Sequence, residues 1–222
     1  MLGDTERSAS DLREFGPLGI LVTVVILAAN LIMVPVSAVL VLMWAQVSRT
    51  PWRDLGFERP KSWMLTAAIG IAFGVALKFA LKAVVLPLLG ADPVNHTYHY
   101  LVGNAAALPA IGLTVIIAGG FCEETVFRGY MFERMGKLLG HGLGAKILMV
   151  AVTTALFALT HYRDQGWAGV EQALFTGSVF GATYAATGRI WTVMFAHAAY
   201  DIAAIAIIYW NLESQVAHLI FK

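Results

Sequence analysis

The chain has 222 residues, 59% of them apolar and 13% charged, with a formal net charge of +1, whereas a soluble domain is about 45–50% apolar and about 25% charged. So large an apolar excess, set in long runs, excludes a water-soluble globule and makes the bilayer the natural solvent. No basic run interleaved with aromatics points to nucleic acid, and the single cysteine, Cys122, excludes an internal disulfide or a zinc site built on cysteine pairs.

Residues 1–16 are polar and mixed in charge (Asp4, Glu6, Arg7, Asp11, Arg13, Glu14) and lack the layout of a cleaved leader, so they read as a short exposed tail. Residues 17–44 carry no charge and are long enough to cross about 30 Å of hydrocarbon, which predicts a first span. The connection 46–62 sets Arg49, Arg53, Arg59 and Lys61 against Asp54 and Glu58, with breaks at Pro51 and Pro60. A second span is expected over 63–89. Its Lys78 and Lys82, one turn apart, form either an anchoring stripe or the wall of a wet cavity.

The loop 90–107 has no lysine or arginine, so the charge rule places it outside, the 46–62 connection in the cytoplasm and the amino terminus outside. Its His96 and His99, near Asp92, are of metal-ligating type but, with no helix to align them, read as ordinary loop residues. A third span starts at 108 and carries Glu123, Glu124 and Arg128, followed by a cytoplasmic loop with Arg134, Lys137 and Lys146. Segments 147–161, 168–186 and 190–210 follow, the last two joined by a tight turn at Thr187, Gly188 and Arg189. Residues 211–222 read as interfacial, with Trp210, His218 and Lys222 as anchors. The fold class is all-α, a polytopic transmembrane bundle of about six spans over 17–210, in the cell membrane and in contact with lipid.

Ionisable residues at the bilayer centre cost about 2.5–3.5 kcal/mol each on insertion scales, so two adjacent glutamates there need a reason. Arg128 follows Glu124 by one turn and can pair with it, leaving Glu123 to find a partner on another span. His161 and His197 are available, and Asp201 lies one turn after His197. Glutamates, histidines and an aspartate on three apolar segments make an acid–base set. A carboxylate beside a neutral imidazole can take a proton from water, and a second histidine or a carboxylic acid can hold an oxyanion. A divalent metal such as zinc, held by Glu123, His161 and His197, would serve the same ends, so metal-dependent and metal-independent versions both stand.

Three motifs carry a resemblance: Glu-Glu-x-x-x-Arg at Glu123, Glu124 and Arg128; Phe-x-x-x-His at Phe157 and His161; His-x-x-x-Asp at His197 and Asp201. In this order on successive apolar segments, over about 108–205, they resemble the CAAX protease and bacteriocin-processing (Abi) family of intramembrane proteases, which includes the type II CAAX prenyl endopeptidases. The resemblance implies an endopeptidase acting on a membrane-associated peptide or protein. It implies that Glu123 with His161 activates water, that Glu124 supports the water or the substrate, and that His197 with Asp201 holds the oxyanion. Eukaryotic members tend to have asparagine where this chain has Asp201, which leaves that residue's task open. The short loops fit a bacterial inner-membrane protein, for which a prenylated substrate is not expected. The same fold could instead serve a non-catalytic immunity or scaffold protein, or a proton-coupled carrier using Glu123, Lys78 and Lys82. Depth poses a difficulty. Counted from residue 147, His161 lies about 20 Å from the cytoplasmic face, against about 10 Å for Glu123 and His197, unless the fourth helix is tilted or the stretch before it lies at the interface.

Overall fold

The computed structural model describes residues 2–221. Helix α1, Leu2–Arg13, occupies what reads in sequence as an exposed tail, and it is docked. Trp44 Nε1 donates to the Leu12 carbonyl at 3.0 Å, and the Arg134 guanidinium donates to the carbonyls of Arg13 (2.6 Å) and Glu14 (3.3 Å) while lying over the Phe15 ring. A cation thus satisfies carbonyls that the end of a helix leaves without partners. Glu6 pairs with Arg49.

The uncharged run expected to form one span is a hairpin of α2, Pro17–Ile32, and α3, Val34–Val47. Proline fits the first turn of a helix but removes a hydrogen bond and clashes with the preceding turn in its interior, so Pro35 marks a break just before it, and Met33 is extended there (φ −160°). Ser37 Oγ donates to the Ile26 carbonyl at 2.8 Å across the hairpin, and the Trp44–Leu12 bond closes its base. Arms of 16 and 14 residues reach only about 24 and 21 Å.

The hairpin returns the chain to the end where it started, so the amino terminus lies beside the arginine-rich 46–62 connection rather than across the membrane from it. This corrects the expectation that the two lie on opposite sides, and with the 46–62 connection expected in the cytoplasm by the charge rule, the amino terminus is expected there too. An amino-terminal epitope should be reached by antibody only after permeabilisation; labelling of intact cells would reverse the orientation.

Among the described residues, four helices are long and apolar enough to cross a bilayer: α4 (Trp63–Leu88), α5 (Leu108–Leu139), α6 (Leu143–Thr160) and α8 (Ile190–Tyr209). The count becomes five if Glu6–Arg13 and Pro17–Ile32, bent by 59°, make one span. The bundle is all-α as expected, with four to five candidate spans in place of about six. Helix α7, Tyr162–Thr187, is long but starts with polar residues and is interrupted at Gly166 (φ 61°).

Lipid tails give no hydrophobic drive between helices, so close backbone packing has to hold them together. Gly70 and Gly74 of α4 lie against α8, so closely that a Cβ at 74 would fall 1.9 Å from the Ala196 carbonyl oxygen. Gly177 and Gly181 of α7 play the same part against Thr154, Phe157 and Val150 of α6. At the end that carries the 46–62 connection, Ile190 N donates to the Gly56 carbonyl, and Gly188 (φ 65°) ends α7 in the expected tight turn. At the other end Glu213 of the short α9, Glu213–Ala217, is buried, pairing with Lys82 at 3.4 Å and accepting from Asn95 N at 2.9 Å, while Lys82 also donates to the Pro93 carbonyl. Part of the segment expected to be interfacial is therefore tied into the bundle; Trp210 and His218 are exposed, and Lys222 lies outside the described residues.

Candidate active site

Helix α5 supplies the glutamates from an altered stretch. Over Val115–Glu123 and again over Thr125–Tyr130 its hydrogen bonds take the wider π pattern, a distortion often found at functional sites. Adjacent residues there face different surroundings. Glu124 is fully buried, and its Oε1 accepts from Arg128 at 2.8 Å and from His197 Nδ1 at 2.7 Å. The Glu124–Arg128 pair read from sequence is present. Arg128 also donates to the Gly177 carbonyl at 3.1 Å, and its guanidinium lies 4.7 Å from the centre of the Phe157 ring.

Glu123 faces a cavity of about 660 Å³, which His161, His197, Asp201, Lys78 and Gln172 also line. Because the Glu124 carboxylate only accepts, His197 Nδ1 must donate to it. Nε2 is then the working nitrogen, 3.7 Å from both Glu123 Oε2 and Asp201 Oδ2. These gaps exceed hydrogen-bond length and leave room for a small oxygen-bearing group. Gly119 leaves the Asp201 carboxyl its present position: a Cβ there would lie 2.7 Å from Asp201 Oδ2 and push that side chain aside. His161 Nδ1 lies 2.9 Å from the Phe157 carbonyl, which also only accepts, so His161 Nε2 is left as the acceptor of the neutral ring.

The depth difficulty disappears because the α5–α6 hairpin extends further than its hydropathy suggests. Glu123 comes 16 residues before Leu139 and His161 comes 18 residues after Leu143, about 24 and 27 Å from the same turn. Phe157, one turn before His161, touches the rings of His161 (4.7 Å) and His197 (5.9 Å) and so joins the two levels.

All five residues singled out as catalytic are in one place, but not in one role's reach: Glu124 is sealed behind His197, while the other four line the cavity. Of the three residues named for a metal, all line the cavity, yet no group of three or more His, Cys, Asp or Glu among the described residues is arranged to hold an ion. Cys122 is buried in the apolar core. His96 and Asp92 form an exposed contact at 2.9 Å, and the Val94 amide, then His96, holds the Asp92 carboxyl below the usual range. Lys78 and Lys82 wall the cavity and do not form a lipid-facing stripe. Sequence reading missed Gln172 and Tyr200, which join Lys78 in the wall, because single polar residues in α7 and α8 give no spacing signal.

Apolar helices packed around a buried polar cavity define a multi-pass helical membrane protein with a site sunk in its core. Residues 105–203 match the model of the family described as Rce1-like, type II CAAX prenyl endopeptidase Rce1-like. All three motifs fall inside the match, while the α2–α3 hairpin and α4 lie before it. No curated protein and no solved structure gives a significant match.

Proposed function

We propose that the cavity hydrolyses a peptide bond of a membrane-associated peptide or protein, with water activated by Glu123. The observation that carries this reading is the convergence, in one cavity, of the Glu123 carboxylate, 3.7 Å from His197 Nε2 and beyond hydrogen-bond length, with two imidazoles whose Nδ1 atoms are both occupied by acceptors. Glu123 takes a proton from water, whose hydrogen bond to His161 Nε2 orients it, and the water oxygen bonds to the peptide carbon. The carbonyl oxygen becomes an oxyanion held by protonated His197 Nε2 and by Asp201 as a neutral acid. Glu123 then passes its proton to the amide nitrogen as the C–N bond breaks, giving a carboxyl and an amine product. Glu124 acts through His197 as a positioning residue. No step runs through a metal; zinc analysis of the purified protein, and restoration of activity by zinc after chelation, would bring Glu123, His161 and His197 back as ligands.

Membrane proteomics comparing cells that carry the native protein with cells that carry Glu123→Ala should show a new carboxyl terminus only in the former. Identical termini, with the phenotype kept by Glu123→Ala and His161→Ala, would favour a non-catalytic immunity or scaffold role; a flux dependent on a pH gradient would favour a carrier. Asp201 has its own test. As a neutral donor it should tolerate Asp201→Asn with activity within about tenfold, whereas Asp201→Ala should lose about 10²–10³-fold in kcat. Loss of activity in Asp201→Asn as deep as in Asp201→Ala would assign it a carboxylate role instead.

A further inference from the structure

Two buried ammonium groups border the cavity, and their surroundings differ. Lys82 has a carboxylate partner in Glu213 and a carbonyl in Pro93. Lys78 is equally buried, at 7% exposure, yet among the described residues no carboxylate lies within ion-pair distance of its Nζ. Its contacts are the Gln172 side-chain oxygen at 2.7 Å and the face of the Tyr200 ring, 4.8 Å to the centre. The Tyr200 hydroxyl donates to the same Gln172 oxygen at 2.8 Å, fixing that amide with its oxygen toward the lysine. An ammonium has three N–H donors, of which one is used here. A buried cation without a carboxylate is costly, and the chain keeps this one in the wall it shares with Glu123, His197 and Asp201.

We infer that Lys78, steadied by Gln172 and Tyr200, is a subsite for a carboxylate on the substrate. The carboxylate can be a chain terminus or an acidic side chain; both offer the oxygen acceptors that would complete the ammonium's hydrogen bonds. This rests on the cavity being the substrate site proposed above, and it adds the chemistry of the group bound beside the scissile bond.

The test is binding, which needs no turnover. Purified Glu123→Gln protein in nanodiscs of neutral lipid is titrated with one apolar peptide in four forms: free carboxyl terminus, carboxyl-terminal amide, amide with an internal Glu, and amide with Gln in place of that Glu. One acidic form should bind at least about tenfold more tightly than its neutral counterpart, and which one does so names the source of the carboxylate. Adding Lys78→Met should erase that preference while neutral peptides bind as before, and adding Lys78→Arg should restore part of it. Equal binding of acidic and neutral forms, or a preference that survives Lys78→Met, overturns the subsite. So does a Lys78-dependent response to phosphatidylglycerol vesicles without any peptide preference. A thermal melt of the Lys78→Met protein confirms its fold. Carboxylate preference without hydrolysis by the native protein would sink the protease reading alone, and hydrolysis without preference would sink this subsite alone.

Discussion

Glu123→Gln is expected to lower hydrolysis by about 10²–10⁴-fold in a protein that melts like the native one, whereas Glu124→Gln is expected to lose the fold. The two carboxylates are neighbours in sequence, but Glu123 lines a cavity with its nearest charged partner 3.7 Å away. Making it neutral breaks no hydrogen bond and removes only the proton acceptor. Glu124 carries two short hydrogen bonds on one oxygen, and its partner Arg128 is 1% exposed. Without that charge, Arg128 keeps only neutral acceptors, the amide oxygen and the Gly177 carbonyl, beside the Phe157 and Phe180 rings, and a buried cation left without a counter-charge costs about 3–5 kcal/mol. Replacing both members, Glu124→Gln with Arg128→Met, should recover much of the loss, because the uncompensated charge is then gone. Fluorescence-monitored melts in detergent together with single-turnover cleavage separate the cases. An active Glu123→Gln would remove the proposed base; a fully stable Glu124→Gln would show that Arg128 finds another partner.

Gly74→Ala should be nearly as damaging although it touches no reacting group. The added methyl would meet the Ala196 carbonyl oxygen at 1.9 Å, backbone that cannot step aside without moving the helix. Overpacking costs about 1–3 kcal/mol, and α8 carries His197 one residue later while α4 carries Lys78 one turn later. The variant should show a lowered melting temperature and weak activity together. Gly112→Ala on α5, where the nearest atom would be Ile202 Cδ1 at 3.9 Å, is the control and should melt no lower than the native protein. If the two variants melt alike, the α4–α8 approach is looser than described.

The helical class and the grouping of Glu123, Glu124, His161, His197 and Asp201 were legible because each residue breaks an apolar run that otherwise has no reason to be polar. Hydropathy was silent on direction. Residues 17–44 have the length and composition of one span, and only Pro35, a single residue, marks the turn that makes them two arms; missing it inverted the amino terminus. Depth failed for a related reason. Arg134 and Lys137 look like loop charges, but they lie on the last turns of α5, where the carbonyls ending α1 receive them. The glycines at 70, 74 and 119 were passed over because small residues matter through what approaches them, which spacing alone does not reveal. The division of labour between Glu123 and Glu124 came partly from Arg128, but that Glu124 would hold His197 needed the two helices in place.

The cavity has a direction. Its lining comes from the hairpin tip near Met33, from Asp92 to Tyr98, from the start of α7 and from Glu213, all at the end away from the arginine-rich connection. Under the function proposed above and the orientation expected from charge, a polypeptide segment would meet Glu123 from the outer half of the bilayer. Cleavage would then follow export and mark its completion, with the products released on the far side and beyond the reach of cytoplasmic peptidases.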